Sequence, residues 1–304
     1  MLTAWYTYFP NVSQERNEVN TTARHKSSAL VDPEWVAAHR DDPNVCLIDV
    51  AGLGQEDLQA YRAGHVPGAH PWQWKEMLWD THMRDFPAPQ EFARRLGAAG
   101  IGNDTTVVFY GEGVQFGVYA WWVFRYCGHE NVCVLDGARY RWAAEGRPLV
   151  TDKPAPRPVK TYAPVARVER MRVLRDEMLH VLGESRTLIL DARSPEEYRG
   201  ERVGAPPGPD IGAMRYGRIP GARHLFFNDL LNADKSFRSR EELRAIVDAQ
   251  GVAADKDIIA YCRLSHRATV LYFTLTELLG LDNVRVYDGS WTEWGNLVGV
   301  PIER

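Results

Sequence analysis

The chain reads as an α/β protein of two tandem domains, each a mainly parallel sheet flanked by helices. Short apolar, strand-like runs alternate with helix-length amphipathic runs, the pattern of parallel sheets covered on both faces. The second half also repeats the landmarks of the first in the same order, which marks a duplicated unit. At 304 residues and 45% apolar content, the chain is long enough for two cores of ordinary size.

Each half opens on a strand ending in aspartate, Leu47-Ile48-Asp49-Val50 in the first and Leu188-Ile189-Leu190-Asp191-Ala192 in the second. A proline-glycine turn follows, His65-Val66-Pro67-Gly68-Ala69 against Arg218-Ile219-Pro220-Gly221-Ala222. Apolar periodicity then predicts helices over Gln90 to Ala99 and Arg240 to Gln250. The next strands, Thr106 to Tyr110 and Asp257 to Tyr261, lead into long apolar helices, the second predicted over Ala268 to Leu279. Each half closes on a strand and turn, Val134-Leu135-Asp136-Gly137 and Val286-Tyr287-Asp288-Gly289, followed by Trp142 or Trp291. These landmarks divide the chain into a polar tail (1–27), a first domain (28–147), a linker (148–168) and a second domain (169–304). Pro154, Pro156 and Pro158 among charged residues favour an extended linker over packed structure.

One cysteine stands at a strand-to-helix junction, in Tyr261-Cys262-Arg263-Leu264-Ser265-His266-Arg267. Such a junction offers unpaired backbone N–H groups and the positive end of a helix dipole, to which Arg263, Arg267 and His266 add donors. Anions and thiolates are stabilised in such surroundings, so Cys262 is the candidate nucleophile. In the overlay of halves, Tyr110-Gly111 falls where Tyr261-Cys262 stands. Glycine supplies no nucleophile, and the loop Gly111-Glu112-Gly113-Val114-Gln115 has a carboxylate and no arginine. The chemistry is therefore assigned to the second half, and a structural and cleft-forming role to the first.

A formal charge of −4 gives no basic footprint, so neither nucleic acid nor an anionic membrane is the expected partner. No run approaches the ~20 apolar residues of a membrane span, and the N-terminus lacks the marks of a signal peptide. The other cysteines, Cys46, Cys127 and Cys133, read as buried small residues, and none of the four has the spacing of a zinc site or a disulfide framework. A soluble protein of a reducing, cytoplasmic compartment is expected.

Several landmarks together resemble the tandem-domain rhodaneses, the thiosulfate and 3-mercaptopyruvate sulfurtransferases, from about Ala29 to Glu303. They are Asp191-Ala192-Arg193-Ser194-Pro195-Glu196-Glu197-Tyr198, Ile219-Pro220-Gly221-Ala222, the Cys262 loop, and Asp288-Gly289-Ser290-Trp291-Thr292-Glu293-Trp294-Gly295. The Cys-Arg-x-x-x-Arg loop looks most like the thiosulfate branch, because the mercaptopyruvate branch tends to place a small residue where this chain has Arg263. Ser265 departs from the family, which commonly has glycine there; a positive φ at that position would strain a serine. His266 is a second departure.

The resemblance implies a double displacement through a Cys262 persulfide, with a small anionic sulfur donor, a thiol, cyanide or protein-thiol acceptor, and no cofactor or metal. Arg193, Arg263 and Arg267 are candidates for binding the donor's sulfonate oxygens. The structural alternative for Arg193 is a salt bridge to Glu196 or Glu197, and for Arg267 a loop-stabilising bond. His266 reads either as a general acid/base or as an exposed loop histidine without a catalytic task. Asp191 orients the loop or ends its strand, and Leu264 and Ser265 complete the loop. Trp72, Trp74, Trp79, Trp291 and Trp294 read as packing.

Three rival functions remain open. Cysteine phosphatases related in fold place five residues between cysteine and arginine, whereas Arg267 follows Cys262 after four, a ring sized for sulfur. A non-enzymatic persulfide carrier or regulatory module uses the same residues, and 3-mercaptopyruvate as donor uses the same chemistry. A fused pseudo-dimer favours a monomer.

Overall fold

The computed structural model describes residues 29–53 and 58–304, so the expected polar tail lies outside the described residues. Among the described residues, ten strands form two parallel sheets. In the first domain they are β1 (Leu30–Val31), β2 (Val45–Val50), β3 (His70–Trp72), β4 (Thr106–Gly111) and β5 (Val132–Leu135). The second domain has β6 (Arg172–Val173), β7 (Thr187–Asp191), β8 (Arg223–His224), β9 (Asp257–Tyr261) and β10 (Val284–Tyr287). The strand orders, β1-β5-β4-β2-β3 and β6-β10-β9-β7-β8, are the same topology, as the sequence repeat requires. Register is kept too: Asp49 pairs with Tyr110 as Asp191 pairs with Tyr261.

Local chemistry accounts for the helix starts near the site. Ser194 caps the Pro195–Tyr198 helix: its hydroxyl accepts the Glu197 N–H while the Glu197 carboxylate accepts the Ser194 N–H. Pro195 takes the first helical position, where no N–H is needed. Ser239 and Glu242 cap the Arg240–Asp248 helix in the same reciprocal way. The helix after Cys262 runs from His266 to Phe273 and widens into a π-turn over Thr274–Leu278. It therefore starts two residues before the Ala268 expected from apolar periodicity, which moves His266 and Arg267 off the loop and into the first turn.

The Val114–Tyr126 and His266–Phe273 helices meet across the domain interface, with the Trp121 ring edge-on to Phe273 at 4.8 Å and tilted against Tyr272 at 6.3 Å. One apolar cluster runs through this contact into both sheets, and burial of that surface holds the domains together. The linker has no regular secondary structure but is bound along the first domain. Arg157 donates to the carbonyls of Val45 and Pro43, each at 2.8 Å, and Lys160 N–H to that of Gly97 at 3.0 Å. A Cβ at Gly97 would come within 2.5 Å of the Lys160 carbonyl, so glycine is what admits the strap.

Candidate active site

Cys262 follows β9, the central strand of its sheet, and Asp191 ends the adjacent β7. From these neighbours the chain departs in opposite directions, toward β8 and toward β10, and the crevice at such a switch point is where open parallel sheets bind ligands. The Cys262 residue is only 1% exposed.

The loop backbone is fastened to the turn after β10. Cys262 N–H donates to Ser290 Oγ at 3.2 Å, the Cys262 carbonyl accepts from Trp291 N–H at 2.9 Å, and the Arg263 carbonyl accepts from Thr292 N–H at 3.0 Å. Ser265 turns the chain into its helix at φ 71°, the left-handed conformation that costs a serine strain. Its hydroxyl offsets that cost by donating to the Asp288 carbonyl at 2.6 Å, with Asp288 Oδ1 at 3.1 Å. Glycine would relax the turn but lose the anchor. Among the described residues, no backbone acceptor faces the N–H groups of Arg263, Leu264 or Ser265, which leaves them to form an anion nest.

The three candidate arginines have different surroundings. Arg267 is clamped by Glu197, with its two Nη groups at 2.5 and 2.8 Å from the carboxylate oxygens. Burial works against the charge of Glu197, but the hydrogen bond and charge of Arg267 outweigh it and hold the carboxyl below its usual range. Arg193 is 0% exposed and bonds to both oxygens of Asp191 and to the Gly217 carbonyl, while its guanidinium lies over the Trp291 ring at 4.5 Å. This corrects the salt-bridge reading of Arg193, since its carboxylate is Asp191 rather than Glu196 or Glu197, while Nη1 has no hydrogen-bond partner among the described residues. Arg263 is half-buried and donates to the Ile211 carbonyl at 3.1 Å. Among the described residues it has no carboxylate partner, and burial, then the charge of Arg267, lower its pKa.

His266 is the second correction. It is 4% exposed and enclosed by first-domain rings, with Trp74 edge-on at 4.5 Å, Tyr119 at 4.2 Å and Phe116 at 5.2 Å. Burial, with Arg84, Arg263 and Arg267 nearby, pushes its pKa down to about 3, so the ring is neutral and serves as interface packing. Trp74 is accordingly packing as well. Leu264, partly exposed, lies at the tip of the loop.

Four residues that shape the site were not singled out from sequence: Glu197, Asp288, Ser290 and Arg84. Glu197 carried the capping signal of Ser-Pro-Glu-Glu, and Ser290 sat in the Asp-Gly-Ser-Trp landmark. Arg84 carried none, because it reaches Asp288 from 204 residues away.

The rhodanese-like domain family matches this chain twice, over residues 32–145 and 174–297. The chain belongs to the rhodanese family of sulfurtransferases. A relative from Thermus thermophilus named sulfur carrier protein TtuD is 44% identical over 90% of this chain and 96% of its own length. A Haloferax volcanii protein, provisionally named a thiosulfate sulfurtransferase, is 40% identical over 92% and 98%. Among solved structures, EanB carrying a persulfide on its cysteine, in an intermediate state with ergothioneine, superposes with a TM-score of 0.79 at 25% identity, covering 91% of this chain and 70% of that one. This rhodanese carries the domain twice in tandem, one half with Cys262 and the other with Gly111 at the matching position. No helix among the described residues is long and apolar enough to cross a membrane.

Proposed function

We propose that this rhodanese moves the sulfane sulfur of thiosulfate to a thiophilic acceptor through a Cys262 persulfide. The Cys262 thiolate attacks the outer sulfur, the sulfur–sulfur bond of thiosulfate breaks, and sulfite leaves with the electron pair. A thiolate or cyanide then attacks the terminal persulfide sulfur, and Cys262 leaves as thiolate. The unpaired N–H groups of residues 263–265 and the positive end of the helix hold the negative charge at each stage.

The observation that carries this reading is the division of labour among the arginines. Arg267 is neutralised by Glu197 and Arg193 by Asp191, while Arg263, next to the nucleophile, keeps its guanidinium free of carboxylates to receive a sulfonate. The name of the Haloferax relative supports the same donor. The test is incubation of reduced protein with thiosulfate, followed by intact mass, sulfite release and thiocyanate formation with cyanide, alongside Cys262→Ser. Gain of one sulfur at Cys262 with catalytic turnover is expected; no gain overturns thiosulfate as donor.

A second reading, a dedicated persulfide carrier, is favoured by the name of the Thermus relative. It predicts stoichiometric persulfide at Cys262 with negligible turnover to small acceptors. For 3-mercaptopyruvate as donor, Arg263→Gly is the discriminating variant: preference shifts toward mercaptopyruvate if Arg263 reads the sulfonate.

A further inference from the structure

We propose that Arg84, delivered by the first domain, is a positioning residue for sulfur transfer and acts on the Cys262 loop through Asp288 and Ser265. The proposal rests on Cys262 as the sulfur-carrying residue.

Arg84 lies in a hairpin closed by the antiparallel bridge between Asp80 and Asp85, and its backbone is held at φ 51°. The guanidinium stacks on Trp79 at 4.2 Å and crosses to the second domain, where Nη1 donates to Asp288 Oδ2 at 2.9 Å and Nη2 to the Asp288 carbonyl at 3.2 Å. Arg172 donates to the same carboxylate at 2.8 Å and returns its other arm to Asp85 at 2.6 Å. Arg84, Asp288, Arg172 and Asp85 thus close a ring of alternating charge that ties the hairpin to the turn after β10. Asp288 is 1% exposed, so water does not screen the ring at its centre.

That turn is the part of the second domain that shapes the loop. Asp288 receives the Ser265 hydroxyl, Ser290 receives the Cys262 N–H, and Trp291 and Thr292 donate to the loop carbonyls. The hairpin reaches the loop by an apolar route as well, since Trp79 is edge-on to Trp74 at 4.7 Å and Trp74 to His266 at 4.5 Å. Both routes end on residues beside the left-handed turn that aims the free N–H groups.

The repeat supplies an internal control. In the second domain, Lys235 occupies the matching hairpin position, also at positive φ (67°), between Leu231 and Phe237. Its ammonium goes to Asn228 Oδ1, and Asp136, the counterpart of Asp288, receives the Phe237 N–H at 2.9 Å and Arg141. The crossing guanidinium is therefore present on the side with the cysteine and replaced by a backbone contact on the side without it.

The experiment compares Arg84→Gln, Arg84→Lys, Ser265→Ala and the Arg84→Gln/Ser265→Ala double variant in the full chain. Steady-state thiosulfate:cyanide transfer, melting temperature and the rate of Cys262 alkylation by iodoacetamide are measured for each. Misplacing a reacting group costs on the order of 10- to 100-fold, so kcat is expected to fall by that factor in Arg84→Gln at unchanged KM. Arg84→Lys, which keeps the charge but not both contacts, is expected in between, and the double variant no worse than the poorer single one. Alkylation, which needs no donor, is expected to slow in the same order, so it reads Arg84 even if thiosulfate proves to be the wrong donor. Additive losses, an unchanged kcat and alkylation rate, a raised KM at unchanged kcat, or a loss that follows only the folded fraction would each overturn the proposal.

Discussion

The two halves of this rhodanese keep the same polar frame and differ in what they hang on it. In the second half the Tyr261 hydroxyl donates to Asp191 at 2.6 Å and accepts the Ile219 N–H at 3.2 Å; in the first, the Tyr110 hydroxyl bonds to Asp49 and accepts the Val66 N–H at 3.0 Å. Tyr198 donates to the Ala222 carbonyl as Tyr61 does to Ala69, at 2.9 and 2.8 Å. Even the strained residue after the Asp-Gly turn is shared, Ser290 at φ 52° against Ala138 at φ 49°. The strain therefore belongs to the fold. What the second half adds is a hydroxyl at that position, a thiol in place of Gly111, and one more loop residue: helix follows Cys262 after residues 263–265 but Gly111 after residues 112–113.

The largest effect that would break this comparison is a transplanted nucleophile. Gly111→Cys in a Cys262→Ser background is expected to transfer sulfur at least about 100-fold more slowly than the parent, the nucleophile there lacking the cations and donors that activate one. The shorter loop brings Glu112 instead of arginine, and a Cβ at residue 111 would stand 2.7 Å from the Val50 carbonyl. Sulfite release and the mass of the labelled peptide are the readouts. Restored turnover at residue 111 would mean the frame alone is sufficient.

A smaller effect separates the ion pairs. Asp49 is bonded by Arg139 at 2.8 Å, from the first turn of the Ala138–Ala144 helix after β5, whereas Asp191 takes Arg193 from just beyond its own strand end at 2.7 Å. The same carboxylate is thus neutralised from two different places, and position 139 falls on Trp291 in the overlay. Arg139→Ala and Arg193→Ala are each expected to cost about 3 kcal/mol in denaturant titration, since either leaves a buried carboxylate unpaired. KM for thiosulfate in Arg193→Ala is expected to stay at the parent value. A raised KM with little stability loss would return Arg193 to the donor.

The sequence made the repeat, the strand ends and the cysteine junction legible, because apolar runs and turn residues act locally and the two copies check each other. The partners of the arginines were not legible: Glu197 and Arg267 stand 70 residues apart, and Arg84 and Asp288 are farther still. A charged residue's partner is chosen by which elements the sheet brings side by side, and periodicity carries no record of that. The early start of the helix escaped for a related reason. Serine rarely enters a left-handed turn, and only the carbonyl of Asp288 explains why Ser265 does so.

His266 gives the smallest expected effect and tests the same point from the interface. The helix after the first-half loop starts with Val114, which does not titrate; the one after Cys262 starts with a histidine whose pKa is pushed from 6.5 down to about 3 by burial and the arginines Arg84, Arg263 and Arg267, against the weaker pull of Asp288. The folded state stays neutral at His266 while the unfolded chain gains a proton as pH falls below the ordinary histidine value. Stability then falls with pH, by about 2 kcal/mol at pH 5 for this one group. His70 and His129, also lowered by burial, act with the same sign, so the informative quantity is the difference between the parent and His266→Gln. The carboxyls of Asp191, Glu197 and Asp288 are held low, and the stability they contribute is lost only as pH falls through their folded values, beneath this window. Denaturant titrations at pH 8 and pH 5 are expected to show the parent losing about 2 kcal/mol more than His266→Gln. Equal losses would mean that His266 is protonated in the fold, and the enclosed ring would have to be reassigned as a charged group facing Asp288.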